Sequence, residues 1–95
     1  MTSRDRRVIE AALSAKGFAL EPGRDHRYYR LMVDGKRTAI STFFSLGSGY
    51  KEYGDSLLAK VAKQLGLTKA ELLALIDCDL DGPSYLGLLR ALGKI

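Results

Sequence analysis

Residues 26–43 read HRYYRLMVDGKRTAISTF, and their pattern decides the fold. Asp34-Gly35 is a two-residue turn of the type I′ kind, which needs positive φ at both central positions. Such a turn predicts a hairpin in which Val33 faces Lys36, Leu31 faces Thr38, Tyr29 faces Ile40 and Arg27 faces Thr42. Side chains alternate between faces with period two. One face then carries Tyr29, Leu31, Val33 and Ile40, with Arg27 on the same side; the set is mostly apolar and belongs on a core. The other carries His26, Tyr28, Arg30, Arg37, Ala39 and Ser41. A half-buried antiparallel sheet accounts for the first face. The second is basic and carries aromatic rings, and function is to be sought there.

Working outward, residues 4–16 carry Val8, Ile9, Ala12 and Leu13 at helical spacing and predict a first helix. Ser3 is its expected cap, and Gly17 its expected left-handed stop. Phe18–Glu21 is a short extended stretch, broken by Pro22-Gly23. Residues 44–54, FSLGSGYKEYG, form a glycine-rich loop whose Tyr50, Lys51 and Tyr53 are expected to border the basic face. Gly49-x4-Gly54 has the glycine spacing of a phosphate loop, but Asp55 stands where lysine is needed and would repel phosphate. Asp55 is read instead as the cap of a second helix, 56–65, with Leu57, Leu58, Val61, Ala62 and Leu65 inward and Gly66 at its end. Thr68-x-x-Glu71 is a capping box opening a third helix to about residue 76. Pro83 starts a fourth, ending at Gly93, whose Tyr85, Leu86, Leu88, Leu89 and Leu92 are too apolar to leave in water.

The chain of 95 residues is read as one α+β domain, with a core over 4–66 and a helical C-terminal extension over 67–95. Its formal charge of +4 is uneven. Residues 1–64 hold twelve basic and seven acidic groups, or +5; residues 65–95 hold three and four, or −1. Any polyanion is therefore met by the first part. Cys78 is the only cysteine, which excludes an intrachain disulfide and a zinc cluster. It reads as a small buried apolar residue. No signal peptide and no membrane-length apolar run is visible, so a cytoplasmic protein without membrane contact is expected. Asp77-Cys78-Asp79-Leu80-Asp81-Gly82 matches the first half of an EF-hand loop. The twelfth position is Leu88 instead of the bidentate glutamate, and Pro83 starts a helix inside the loop. Asp79 and Asp81 are read as helix caps, and neither metal nor cofactor is expected.

His26, the only histidine, is the candidate for chemistry. Arg24, Arg27 and Arg30 are near it in sequence, and Tyr28 stands two residues along the same strand. RNA cleavage needs a base for the ribose 2′-OH, cations for the phosphate and often a ring to stack a base. The expected RNA-binding residues are Arg24, Arg27, Tyr28, Arg30, Arg37 and Lys51.

A first helix ending in Gly17-Phe18, His26 opening a strand, Asp34-Gly35-Lys36, Gly47-x-x-x-Lys51-x-x-Gly54 and the helix ending Lys63-Gln64-Leu65-Gly66-Leu67 together resemble the HicA (YcfA-like) toxin family. The resemblance covers residues 4 to about 76. It implies a double-stranded-RNA-binding-domain-like α-β-β-β-α core and a metal-independent mRNA interferase with His26 as the catalytic histidine. It also implies RNA as substrate and a protein antitoxin of HicB type as partner. The sequence departs from the family at Arg24-Asp25, where Gly-Ser is common, and at Leu46, where a second histidine often stands. The alternative is a non-catalytic RNA- or protein-binding module on the same scaffold.

Overall fold

The computed structural model describes residues 3–23, 26–45 and 51–95. Its elements are β1 (Arg4–Asp5), α1 (Arg6–Ala15), β2 (Phe18–Pro22), β3 (His26–Val33), β4 (Lys36–Ser45), β5 (Glu52–Tyr53), α2 (Asp55–Gln64), α3 (Lys69–Ile76) and α4 (Gly82–Ala91). The fold is α+β. β2, β3 and β4 form an antiparallel sheet in that order, and β1 pairs with β5 in a two-stranded ribbon.

The turn is as the sequence predicts: Asp34 and Gly35 have φ of +52° and +78°. The predicted register holds only next to it. Val33 pairs with Lys36 and Met32 with Arg37, but Arg30 then pairs with Ser41, Tyr29 with Thr42 and Arg27 with Phe44. β4 therefore carries two more residues than β3 across an irregularity at Leu31. Polar groups around the slip are satisfied locally. Thr38 Oγ1 donates to the Leu31 carbonyl at 2.8 Å and accepts from the Ile40 amide at 3.2 Å. A shift of two leaves every side chain on its predicted face, because the strand repeat is itself two. Tyr29, Leu31 and Ile40 are buried as expected, and Thr42 and Phe44 join them.

α1 and α2 cover this face of the sheet, and α3 packs across α1 and α2. Asp5, not Ser3, caps α1, its carboxylate accepting from the Arg7 amide at 2.7 Å. Ser3 instead donates its hydroxyl to Glu52 at 2.6 Å, beside the β1–β5 ribbon. Gly17 ends α1 with φ of +100°, in the left-handed region that favours glycine. Its carbonyl accepts from the Met32 amide, which locks the helix end onto the hairpin. Asp55 is the first helical residue of α2 instead of its cap, and its carboxylate accepts from Lys69 Nζ at 3.0 Å. The Thr68–Glu71 capping box is formed in both directions.

The C-terminal helices belong to the same core as the rest. One buried cluster runs from Ile9 and Leu13 through Phe18, Leu31 and Phe44 to Leu58, Leu72, Tyr85 and Leu89. Tyr85 stacks on Phe18 with ring centroids 6.0 Å apart, and its hydroxyl donates to the Leu65 carbonyl at 2.9 Å. Burial holds the Tyr85 phenol far above the ordinary tyrosine range. Two predicted core residues lie outside: Val8 and Leu92 are exposed.

Two of the three aspartates in the connection from α3 to α4 are held by the protein, and Asp81 alone, not Asp79, caps α4. Asp77 receives Arg4 through both oxygens, at 3.0 and 2.7 Å, which lowers its carboxyl below the usual range. Asp81 caps α4 by accepting from the Ser84 amide at 2.7 Å, with the same consequence. Asp79 is exposed. Cys78 is exposed too, against the sequence expectation: it sits in a tight turn with φ of +67°, and Lys16 Nζ lies 3.6 Å from its sulfur. No helix among the described residues is long and apolar enough to cross a membrane.

Candidate nucleic-acid interface

Strand alternation builds the opposite face of the sheet. β3 sends out His26, Tyr28, Arg30 and Met32; β4 sends out Arg37, Ala39, Ser41 and Phe43; β2 adds Ala19 and Glu21. Whereas α1 and α2 cover the core face, side chains here stay half-buried or exposed.

Three rings cluster at one end of this face. His26 meets Phe43 edge-on with centroids 5.1 Å apart, and Tyr28 lies 6.0 Å from His26 and 5.8 Å from Phe43. Tyr28 and Phe43 are direct cross-strand partners, a pairing that the shifted register creates. Both remain exposed, Tyr28 at 42% and Phe43 at 39%. Phe43 is the site residue that the sequence reading missed. The signal was the alternation Ala39, Ser41, Phe43 along β4, which the unshifted register stopped one step short of.

Next along β3 stands Arg30. Its Nη1 donates to the Thr38 carbonyl at 2.9 Å, at the register slip, and its Nε donates to Glu21 at 3.2 Å. Arg37 reaches the same carboxylate, with Nη2 3.3 Å from one oxygen and 3.0 Å from the other. Two guanidinium groups thus share one glutamate, leaving a local charge of +1 beside the rings.

The other expected site residues lie elsewhere. Arg27 is on the core face, as the alternation requires. Its Nε lies 3.3 Å from Glu10, a buried carboxylate that also accepts from the Tyr29 hydroxyl at 2.8 Å and lies 3.3 Å from Arg6. Arg27 is a brace between β3 and α1, half-exposed at its outer edge. Burial, then the bond to Glu10, raises the Tyr29 phenol above its ordinary range. Lys51 is exposed beside the start of α1, where it lines a shallow depression with Asp5, Arg6 and Arg7. Its carbonyl accepts from the Arg6 amide at 2.8 Å. Tyr53, expected near the basic face, is buried against Phe44 with centroids 5.4 Å apart. Arg24 and Tyr50 lie outside the described residues, as do Asp25 and Leu46.

Comparison with models of protein families, with curated proteins and with solved structures returned no match to this chain. The open face has its own chemistry to offer. Aromatic rings stack nucleobases regardless of sequence, guanidinium groups bind phosphate, and a neutral imidazole accepts a proton. All three groups occur within one exposed surface of β3 and β4.

Proposed function

We propose that this chain binds single-stranded RNA on the open face of its sheet and acts as a HicA-like endoribonuclease. The observation that carries the reading is the contact of His26 with Tyr28 and Phe43, beside the Arg30–Arg37 pair. The order α1-β2-β3-β4-β5-α2, with α1 and α2 against one face of the three-stranded sheet, supports the double-stranded-RNA-binding-domain-like core that the family resemblance implies. A nucleobase stacked on Tyr28 or Phe43 brings its ribose toward His26. Neutral His26 takes the 2′-OH proton, and the 2′ oxygen attacks the adjacent phosphorus. The bond from phosphorus to the 5′ oxygen breaks, leaving a 2′,3′-cyclic phosphate. The 5′ oxygen takes its proton from Tyr28 or water. No metal enters this scheme. A protein antitoxin of HicB type would silence the chain by covering the same face.

A second reading is favoured by the ring cluster itself. His26 packed edge-on to Phe43 is part of a stacking platform, and such a platform binds RNA without cutting it. Incubation of single-stranded RNA in EDTA with the wild-type chain and with His26→Ala separates the two. A general base contributes about 10²–10⁴ in rate, so the variant is expected to cut at least about a hundredfold more slowly with unchanged circular dichroism. Equal cutting by both chains removes His26 from the chemistry. Absence of cutting, with RNA still bound, selects the binding module.

A further inference from the structure

The Arg30–Glu21–Arg37 cluster has the composition of an occupied anion site. We infer that the two guanidinium groups form a seat for one RNA phosphate, and that the Glu21 carboxylate fills it in the free protein as a displaceable stand-in. This rests on the RNA reading above and names what holds the backbone there. Glu21 meets Arg30 Nε at 3.2 Å and Arg37 Nη2 at 3.0 Å, so one carboxylate is the counter-ion of two cations. A phosphate diester offers the same pair of charged acceptor oxygens.

Three features let the exchange occur. Arg30 does not depend on Glu21 for its aim, because its Nη1 is anchored on the Thr38 carbonyl at 2.9 Å. That carbonyl is presented where β4 slips against β3 at Leu31, and such irregularities commonly re-aim side chains. Glu21 sits on β2, an edge strand, and its side chain is 37% exposed, so it can swing into water. The Arg37–Glu21 pair is exposed and the Arg30–Glu21 pair is part-buried, and ion pairs open to water are weak, which makes the carboxylate easy to displace. The seat is also correctly placed. Arg30 stands two residues beyond Tyr28, about 6.8 Å along the strand, so a base on the rings puts a neighbouring phosphate within reach.

The test is titration of a fluorescently labelled single-stranded RNA with wild type, Glu21→Gln and Glu21→Ala at several salt concentrations. Asp79→Asn serves as control, since it changes net charge equally on an exposed connection between helices. Both Glu21 variants are expected to bind at least about two- to fivefold tighter, the fold-change of one surface ion pair, since Glu21 competes through two such pairs. The salt slope is expected to steepen by up to about 0.7, the value for one further phosphate contact. Adding Arg30→Ala and Arg37→Ala to Glu21→Gln is expected to abolish the gain. RNA binding by wild type with no gain in the Glu21 variants, or an equal gain in Asp79→Asn, overturns the stand-in and leaves the RNA reading intact. Failure of every chain to bind RNA overturns the RNA reading instead. In that case the Arg30 and Arg37 side-chain resonances of Glu21→Gln are followed while pyrophosphate is added. Movement keeps the phosphate seat, and unmoved resonances overturn it.

Discussion

The two faces of the β2–β3–β4 sheet are made of alternate residues on the same strands, yet they solve opposite problems. Phe44 is fully buried and its neighbour Phe43 is exposed; Tyr29 is buried and its neighbour Tyr28 is exposed. On the covered face, the buried polar side chains meet one another. Tyr29 and Arg27 converge on Glu10, and Thr42 donates its hydroxyl to Gln64. Such pairing is what burial demands, because an unmatched polar group there forfeits its hydration without return. The open face holds the same residue types with less at stake. Its rings touch one another, and its arginines share one carboxylate. Adjacent residues therefore separate the core from the face proposed to bind RNA, and substitutions at neighbouring positions test that separation.

The largest contrast lies in the two phenylalanines. Phe44→Ala empties the centre of the core and is expected to lower unfolding free energy by about 3–5 kcal/mol. Phe43→Ala is expected to cost less than about 1 kcal/mol, since its ring is half in water. Urea unfolding of both variants checks this, and equal losses would mean that the outer face is covered.

The tyrosines give a smaller version. Tyr29→Phe removes a hydrogen bond to a buried charged group and is expected to cost about 1.5–3 kcal/mol, whereas Tyr28→Phe is expected within about 0.5 kcal/mol. The buried phenols also set a pH dependence. Tyr29 and Tyr85 keep their protons to higher pH in the folded chain than in the unfolded one. The folded state then binds more protons above the ordinary phenol value, so stability is full below about pH 10 and declines as pH rises beyond it. Loss of far-ultraviolet circular dichroism is expected to coincide with the last part of the rise in phenolate absorbance, the part that Tyr29 and Tyr85 contribute. Tyrosine ionisation complete before any loss of ellipticity would contradict burial of these rings. Thr38→Val is expected to cost about 1 kcal/mol by removing the hydroxyl that bridges the register slip.

Much of this arrangement is legible in the sequence, and the failures have physical causes. The Asp34-Gly35 turn specifies the hairpin, and period-two alternation assigns Tyr29, Leu31 and Ile40 to the core and His26, Tyr28 and Arg30 to the surface. The Thr68–Glu71 box and the stop at Gly66 are equally local signals, and both occur as expected. The slip opposite Leu31 leaves no such mark. It depends on Thr38 finding the Leu31 carbonyl, a contact between strands, and so the Tyr28–Phe43 pairing was hidden. Ser3 and Asp5 are both competent caps, and the β1–β5 ribbon decides between them by drawing Arg4 and Asp5 into an extended conformation. Cys78 was misjudged because residue type predicts burial only on average, while a turn with positive φ at the end of α3 holds it outward. For the site, alternation kept Arg27 off the open face. It could not show that Glu21 occupies Arg30 and Arg37, since that contact joins strands nine and sixteen residues apart in sequence.

The most direct measurement is the affinity of Tyr28→Ala and Phe43→Ala for single-stranded RNA at one fixed salt concentration, with thermal unfolding of the same samples. Stacking of a base on an aromatic side chain is worth about 1–3 kcal/mol, so each variant is expected to lose about 5- to 150-fold in affinity while still unfolding cooperatively near the wild-type temperature. Wild-type affinity in both variants would show that RNA does not lie on the open face of the sheet.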